Sequence, residues 1–335
     1  MVLWLDGFDW LPGNTGDVAT TDLQLKYSTA LAGSIQVGTG RDAGKSLRMV
    51  AIPAGIFRTF DSVDELVIAF AFMHSDALGS GRIMSLNDNT LGRQCRLDLN
   101  DSEQLLLYRG NGTELLDTST TQLVEDVWYY LELRYLVHAT AGSYELRING
   151  NTEFSDSGIN TRGVASDVLD LFVLADDCNR TVQFDDFNIV DGSGFLGDSY
   201  VRDIFPESDG DDSEWTPDSG TDHFARIDET PHDGDTSHLE GALADRDLFN
   251  LPAQNIGGQI HGVQLNAIAK RVSGSNLKLK QVVKSDGVFG GGDSDQDVSS
   301  TSYDHFFRIT EDDPATSATW QPGTFNSAQF GIEGG

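Results

Sequence analysis

The chain has 335 residues and sets 22 Lys and Arg against 53 Asp and Glu, a formal charge of -31 at pH 7. A surface this acidic repels nucleic-acid phosphates and anionic lipid heads, which excludes both as partners. Hydrophobic residues make up 39%, enough for packed cores, so wholesale disorder is also excluded, and the length predicts two domains.

The opening stretch, Met1-Val2-Leu3-Trp4-Leu5-Asp6-Gly7, holds neither a basic segment nor a long apolar run, so no signal peptide is expected and synthesis is expected in the cytoplasm. The apolar run from Leu66 to Met73 is too short to span a bilayer. Strand-like segments dominate residues 65–190. Glu65–Phe72 is apolar with partial alternation, while Arg82–Leu86, Gln94–Leu99 and Gln104–Arg109 alternate cleanly and end in Gly, Asn or Asp clusters. A long strand is predicted from Trp128 to Val137 and another from Ser143 to Ile148, closed by Asn149-Gly150, the dipeptide of a type I′ hairpin turn. Asp170–Leu174 and Thr181–Val190 complete the set. Many short strands at close spacing predict an antiparallel sandwich.

The composition changes after Gly197. From Asp203 to Asp247 there are 15 acidic residues and two basic ones, Arg226 and Arg246, which predicts a solvated, loop-rich connection. Strands return at Gly262–Lys270, Leu277–Val283 and Tyr303–Ile309, and Thr324–Ile332 reads as a helical turn leading into a last strand. That strand stops so soon that an open edge, completed by a neighbour, is expected there. The fold class is therefore all-β, an antiparallel jelly-roll β-sandwich followed by a second, smaller β domain. The expected boundaries are 1–197 for the sandwich, 198–250 for the acidic, loop-rich connector and the start of the second domain, and 251–335 for the C-terminal domain.

Candidate chemistry is sparse. Carboxylates at a period of two on one strand would mark a glycosidase, but no predicted strand of the first domain carries them. The nearest string, Glu207-Ser208-Asp209-Gly210-Asp211-Asp212, lies in the connector. His223, His232, His238, His261 and His305 are scattered and are expected at the surface or in turns. Calcium is weighed at two places. Asp293, Asp295 and Asp297 with Asp304 resemble an EF-hand loop, but Val298 stands where the sharp turn needs Gly. Asp176, Asp177, Asp185 and Asp186 form the other acidic cluster. No residue is assigned to catalysis, to a cofactor or to a metal. Cys95 and Cys178 are read as reduced, half-buried thiols. Trp128 opens an alternating strand and is expected in the core.

Trp4-Leu5-Asp6-Gly7-Phe8-Asp9, Trp128-Tyr129-Tyr130-Leu131-Glu132-Leu133, Tyr144-Glu145-Leu146-Arg147-Ile148-Asn149-Gly150 and Phe184-Asp185-Asp186-Phe187-Asn188-Ile189 succeed one another in an order that resembles the concanavalin A-like (laminin G-like) jelly roll. That resemblance covers residues 1 to 195 and implies that the last strand pairs beside the first. From Phe195-Leu196-Gly197-Asp198 through Trp215-Thr216-Pro217 to Trp320 the pattern resembles a module of tailed-bacteriophage structural proteins. The resemblance implies a non-catalytic virion protein, made in the host cytoplasm and displayed on capsid or tail, with other virion proteins and copies of itself as partners. The alternative it leaves open is a carbohydrate-binding adhesin that recognises host-surface glycans.

Overall fold

The computed structural model describes residues 1–13, 16–27, 29–31, 35–42, 44–50, 54–76, 79–112, 114–174, 180–274, 277–290 and 296–335. The chain divides into two compact units, Met1–Asp203 and Ile204–Gly335. Residues 198–203 thus belong to the first unit and the acidic stretch up to Asn250 to the second.

In the first unit the strands are β1 (Val2–Asp6), β2 (Gly16–Asp17), β3 (Thr29–Leu31), β4 (Ile35–Thr39), β5 (Lys45–Met49), β6 (Gly55–Val63), β7 (Glu65–Ser75), β8 (Gly81–Asn87), β9 (Arg93–Leu99), β10 (Gln104–Arg109), β11 (Glu114–Gln122), β12 (Tyr129–Leu136), β13 (Gly142–Ile148), β14 (Asn151–Ile159), β15 (Leu169–Leu174) and β16 (Thr181–Asp191), with one helix, α1 (Thr20–Lys26). Among the described residues they form two antiparallel sheets. The larger runs β14-β13-β12-β7-β16-β5-β4-β2, with β1 beside β16, and the smaller runs β11-β10-β9-β8-β15-β6-β3. The pairing of first strand with last, Leu5 opposite Asn188 and Asp6 opposite Phe187, closes the jelly roll as its motifs imply.

Alternation explains the packing. Ile68, Phe70 and Phe72 of β7 lie opposite Leu133, Leu131 and Tyr129 of β12, and the first two pairs are fully buried inside the sandwich. Phe172 of β15 meets Phe187 of β16 across the two sheets with ring centroids 4.7 Å apart. Each such aromatic pair adds about 0.5–1.5 kcal/mol beyond the burial of its area. Asn149 and Gly150 both adopt positive φ, 50° and 77°, as a type I′ turn between β13 and β14 requires.

The second unit holds β17 (Ser208–Ser213), β18 (Thr216–Pro217), β19 (Leu239–Glu240), β20 (Arg246–Asn250), β21 (Val263–Ala269), β22 (Lys278–Ser285), β23 (Val288–Gly290), β24 (Gln296–Asp297), β25 (Asp304–Thr310), β26 (Asp312–Asp313), β27 (Ala318–Thr319), α2 (Pro322–Ser327) and β28 (Gln329–Gly334). Its main sheet runs β17-β20-β28-β22-β23, with β24 also on β22. Trp320, Phe325, Phe330 and Val283 make one small core, and Leu279, Val298 and Phe306 another.

Two expectations fail here. The last strand is not an open edge: β28 pairs with β20 on one side and β22 on the other, so its backbone groups are satisfied within the unit. The acidic connector also contains a strand. β17 pairs with β20, and its carboxylates find partners, Asp212 with Arg246 at 2.7 Å and Asp211 with Lys284 at 2.7 Å.

Candidate functional site

The side chains of the larger sheet that point away from the sandwich form a polar face. On β12 these are Tyr130, Glu132 and Arg134, and Trp128 precedes the strand in the same phase. Register carries them across the sheet. Arg147 lies opposite Glu132, Glu132 opposite Ala69, and Ala69 opposite Asn188. In the next row Tyr130 lies opposite Ala71 and Ala71 opposite Asp185. Beyond that, Met73, Gln183, Arg48 and Gln36 succeed one another. A bulge keeps this face polar. The register shifts between Asp185 and Asn188 with Asp186 at φ 51°, so Phe184 and Phe187 both turn inward while Asp185 and Asn188 both face out.

The face has an open part and a covered part. In the open part, half-buried Trp128 packs on Ala69, Ala71 and Tyr130. The two alanines and Tyr130 are buried, and the indole lies against them. Gln183 accepts a hydrogen bond from the Ser46 hydroxyl at 2.9 Å, and Arg48 donates to the Gln36 side chain.

The covered part lies under residues 193–203, an irregular strap. Its Gly197 N–H donates to Glu132 Oε1 at 2.9 Å, and its Val201 N–H donates to Asp186 Oδ1 at 2.8 Å. Arg41 donates to the Asp198 carboxylate and to the Ser199 carbonyl, the latter at 2.6 Å. The guanidinium of Arg41 sits 5.0 Å from the Tyr130 ring and 4.1 Å from the Tyr200 ring, and that of Arg147 is 3.7 Å from the Phe195 ring.

Burial dominates the electrostatics under the strap. It pushes the Glu132 carboxyl above the ordinary carboxylate range, against the Gly197 N–H and the Arg147 charge. It also raises Asp185 and Asp186, and for Asp185 the neighbouring Asp186 charge adds to the effect. Desolvation works against the Arg41 charge, yet Asp186 and Asp198 hold it above its usual value. Glu132 and Asn188 are 0% and 1% exposed. Glu132 Oε2 and Asn188 Oδ1 have no hydrogen-bond partner among the described residues.

The structure moves Trp128. It stands on the outer face and not in the sandwich core, because it shares the phase of Glu132 and Arg134 and not that of Leu131 and Leu133. That phase was the signal available in the sequence. Asp185 and Asp186 spend their oxygens on the N–H groups of Arg41, Asp186 and Val201 and on the Arg41 side chain. Asp176, Asp177, Asp293, Asp295 and Cys178 lie outside the described residues, and Cys95 is fully buried with a free thiol. Asp209, within the acidic string 207–212, accepts the N–H groups of His223 and Phe224 at 3.1 and 2.7 Å. His223 stands in the turn that precedes residues 224–226, as one of the two placements expected, but it is not at the surface. It is 8% exposed, with Nδ1 2.6 Å from Asp247 Oδ2, and Asp247 also accepts the N–H groups of Glu214 and Trp215.

No family model and no curated protein matches the chain. Solved structures share its β-sandwich build at low identity. An endo-β-1,4-glucuronan lyase from the fungus Trichoderma reesei has a TM-score of 0.43 at 11% identity, covering 52% of this chain and 95% of the lyase. The alginate lyase Aly36B has a TM-score of 0.39 at 12% identity, with 54% and 93% covered. The carbohydrate-binding module CBM66 from Bacillus subtilis has a TM-score of 0.32 at 10% identity, with 48% and 93% covered. The expectation of a chain without catalysis is corrected by this finding. Two of these three similar proteins are lyases by name. None of the three is a phage protein by name.

Proposed function

We propose that the first unit is a glycan-recognising β-sandwich that holds a saccharide on the open part of its polar face. The observation that carries this reading is Trp128, a half-buried indole laid over Ala69 and Ala71 beside Tyr130. An indole face suits the C–H face of a sugar ring, and the Gln183, Arg48 and Gln36 side chains that come next in register supply the donors and acceptors that hydroxyls need. The test is binding of the full chain to an array of oligosaccharides, with Trp128→Ala alongside. We expect saccharide binding that falls about tenfold or more in the variant at little cost in stability. A variant that unfolds, or that binds as well as the parent, would remove Trp128 from this role.

Display on a phage particle is the setting we propose for this module, supported by the run of motifs from Phe195 to Trp320. Many copies on one particle would turn weak saccharide contacts into avidity. Mass spectrometry of purified particles tests that setting, and absence of the chain from them would overturn it.

A further inference from the structure

The strap over the polar face is held in an unusual way. Its attachments are polar: the Gly197 and Val201 N–H groups on two carboxylates, and the Asp198 carboxylate and Ser199 carbonyl on Arg41. Its packing is slack. A Cβ at Gly194 or Gly197, or at Gly192 just before the strap, would meet nothing within 4 Å, and Tyr200 is 54% exposed. Its far end is tight, since a Cβ at Gly7 would come within 2.3 Å of the Val201 carbonyl oxygen. Gly192 and Gly197 sit at φ 81° and 80°, where glycine turns freely. Beneath it lie two buried polar atoms, Glu132 Oε2 and Asn188 Oδ1, which the strap leaves unsatisfied. A cover that had been selected only to seal the sheet would be expected to satisfy or displace such groups, because a buried polar atom without a partner keeps its full desolvation penalty.

We infer that the covered part of the face is a second saccharide subsite, continuous with the open part, and that residues 193–203 occupy it as a built-in competitor. This rests on the proposal that the open part binds a glycan. The strap's contacts name the ligand chemistry. Asp198 puts a half-exposed carboxylate on Arg41, and Arg41 is already fixed from behind by Asp186 at 2.8 Å and by the Tyr130 ring. A sugar carboxylate arriving there takes over the position of the Asp198 carboxylate on a guanidinium that is oriented in advance. Its hydroxyls reach Glu132 Oε2 and Asn188 Oδ1 as donors. The subsite therefore takes a carboxylate-bearing saccharide, and Arg41 reads the carboxylate.

The experiment titrates the full chain with a glucuronate hexasaccharide and a neutral glucose hexasaccharide, in wild type, in Asp198→Asn and in the double variant D198A/F195A. Neither variant changes a sheet-face residue. Thermal unfolding checks that each variant folds, and Asp198→Asn serves if the double variant does not. We expect the double variant to bind the acidic probe about tenfold tighter than wild type, Asp198→Asn to gain a smaller part of that, and the neutral probe to change little. In wild type, the acidic probe should speed hydrogen exchange at the Gly197 and Val201 amides while the sheet stays protected. An equal gain for both probes would overturn the carboxylate assignment. Unchanged affinities and unchanged amide protection, with Trp128-dependent binding intact, would overturn the competitor and leave the open-face reading standing. Loss of all saccharide binding in every form would take both down.

Discussion

The two faces of the larger sheet are built from the same strands and obey different rules. Inward from β7, β12 and β16 go Ile68, Phe70, Phe72, Leu131, Leu133, Phe184 and Phe187, all 1% exposed or less. Outward go Ala69, Ala71, Tyr130, Glu132, Asp185 and Asn188, which are as deeply buried or nearly so, and four of them carry polar groups. Burial alone therefore does not tell a core from a site. What separates them is whether the buried atoms are satisfied. The inner face needs only volume, and the outer one needs partners.

The comparison breaks first at its largest contrast. Phe187→Ala should cost about 3–5 kcal/mol of unfolding free energy, because it empties a packed site between the sheets. Trp128→Ala should cost about 1 kcal/mol, since the indole is half out already. Urea titrations of the two variants decide it, and equal costs would return Trp128 to the core. Gly38→Ala comes next. Its Cβ would fall 2.1 Å from Gln183 Oε1 and 2.5 Å from Ser46 Oγ, breaking the hydrogen bond between them. A loss of about 1–3 kcal/mol, together with weaker saccharide binding, is expected.

A smaller effect concerns pH. Burial and the adjacent Asp186 charge hold the Asp185 carboxyl protonated above the ordinary carboxylate range; Asp9 is the other charge facing it, and the backbone N–H groups of Arg41 and Asp186 work the other way. The folded state then binds a proton that the unfolded state has released. Stability from this group is full below the unfolded value near ~3.9 and is lost as pH rises through the raised folded value. Urea unfolding should show a decline on the order of 1–2 kcal/mol from mildly acidic to mildly alkaline pH. Asp185→Asn should flatten that slope, and an unchanged slope would place the titration elsewhere. The smallest effect is in the smaller sheet, on β9. Burial pushes the Cys95 thiol well above its usual pKa, so iodoacetamide should label Cys95 only after unfolding, as peptide mass spectrometry would show.

Much of the fold was legible in the sequence because its signals are local. Alternation in Leu131–Tyr135 and the Asn149-Gly150 turn depend on neighbours a few residues away, and both appear where they were read. β17 was not legible. Asp and Gly disfavour strands, and the segment is one only because β20 pairs with it and Arg246 and Lys284 answer its charges. The neighbours of β28 depend on strands about 50 and 80 residues upstream in the chain, beyond the reach of any periodicity. The candidate site was not read from the sequence, which assigned no site residue and put Trp128 in the core. Period two sets Trp128 in phase with Tyr130 and Glu132, but alternation gives phase and not side, and the polar company of Glu132 and Arg134 was the signal that the core reading passed over. The strap was invisible, because it has no period at all.

The pairing of β1 with β16 has a kinetic consequence. Leu5 and Asn188 are joined across nearly the whole length of the first unit, so the pairing that seals the sandwich is also, among the described strand pairings of that unit, the one with the greatest separation along the chain. Contacts of that kind must meet the entropy of closing a long loop before they return any binding energy, and that cost grows only as the logarithm of the loop length. The intervening hairpins, such as β12 with β13, shorten the effective loop by folding first. The first unit should accordingly refold slowly, with the nearby pairs gaining amide protection early and β1 last. Until β1 docks, the exposed edge of β16 is the position from which two chains emerging together would exchange first strands.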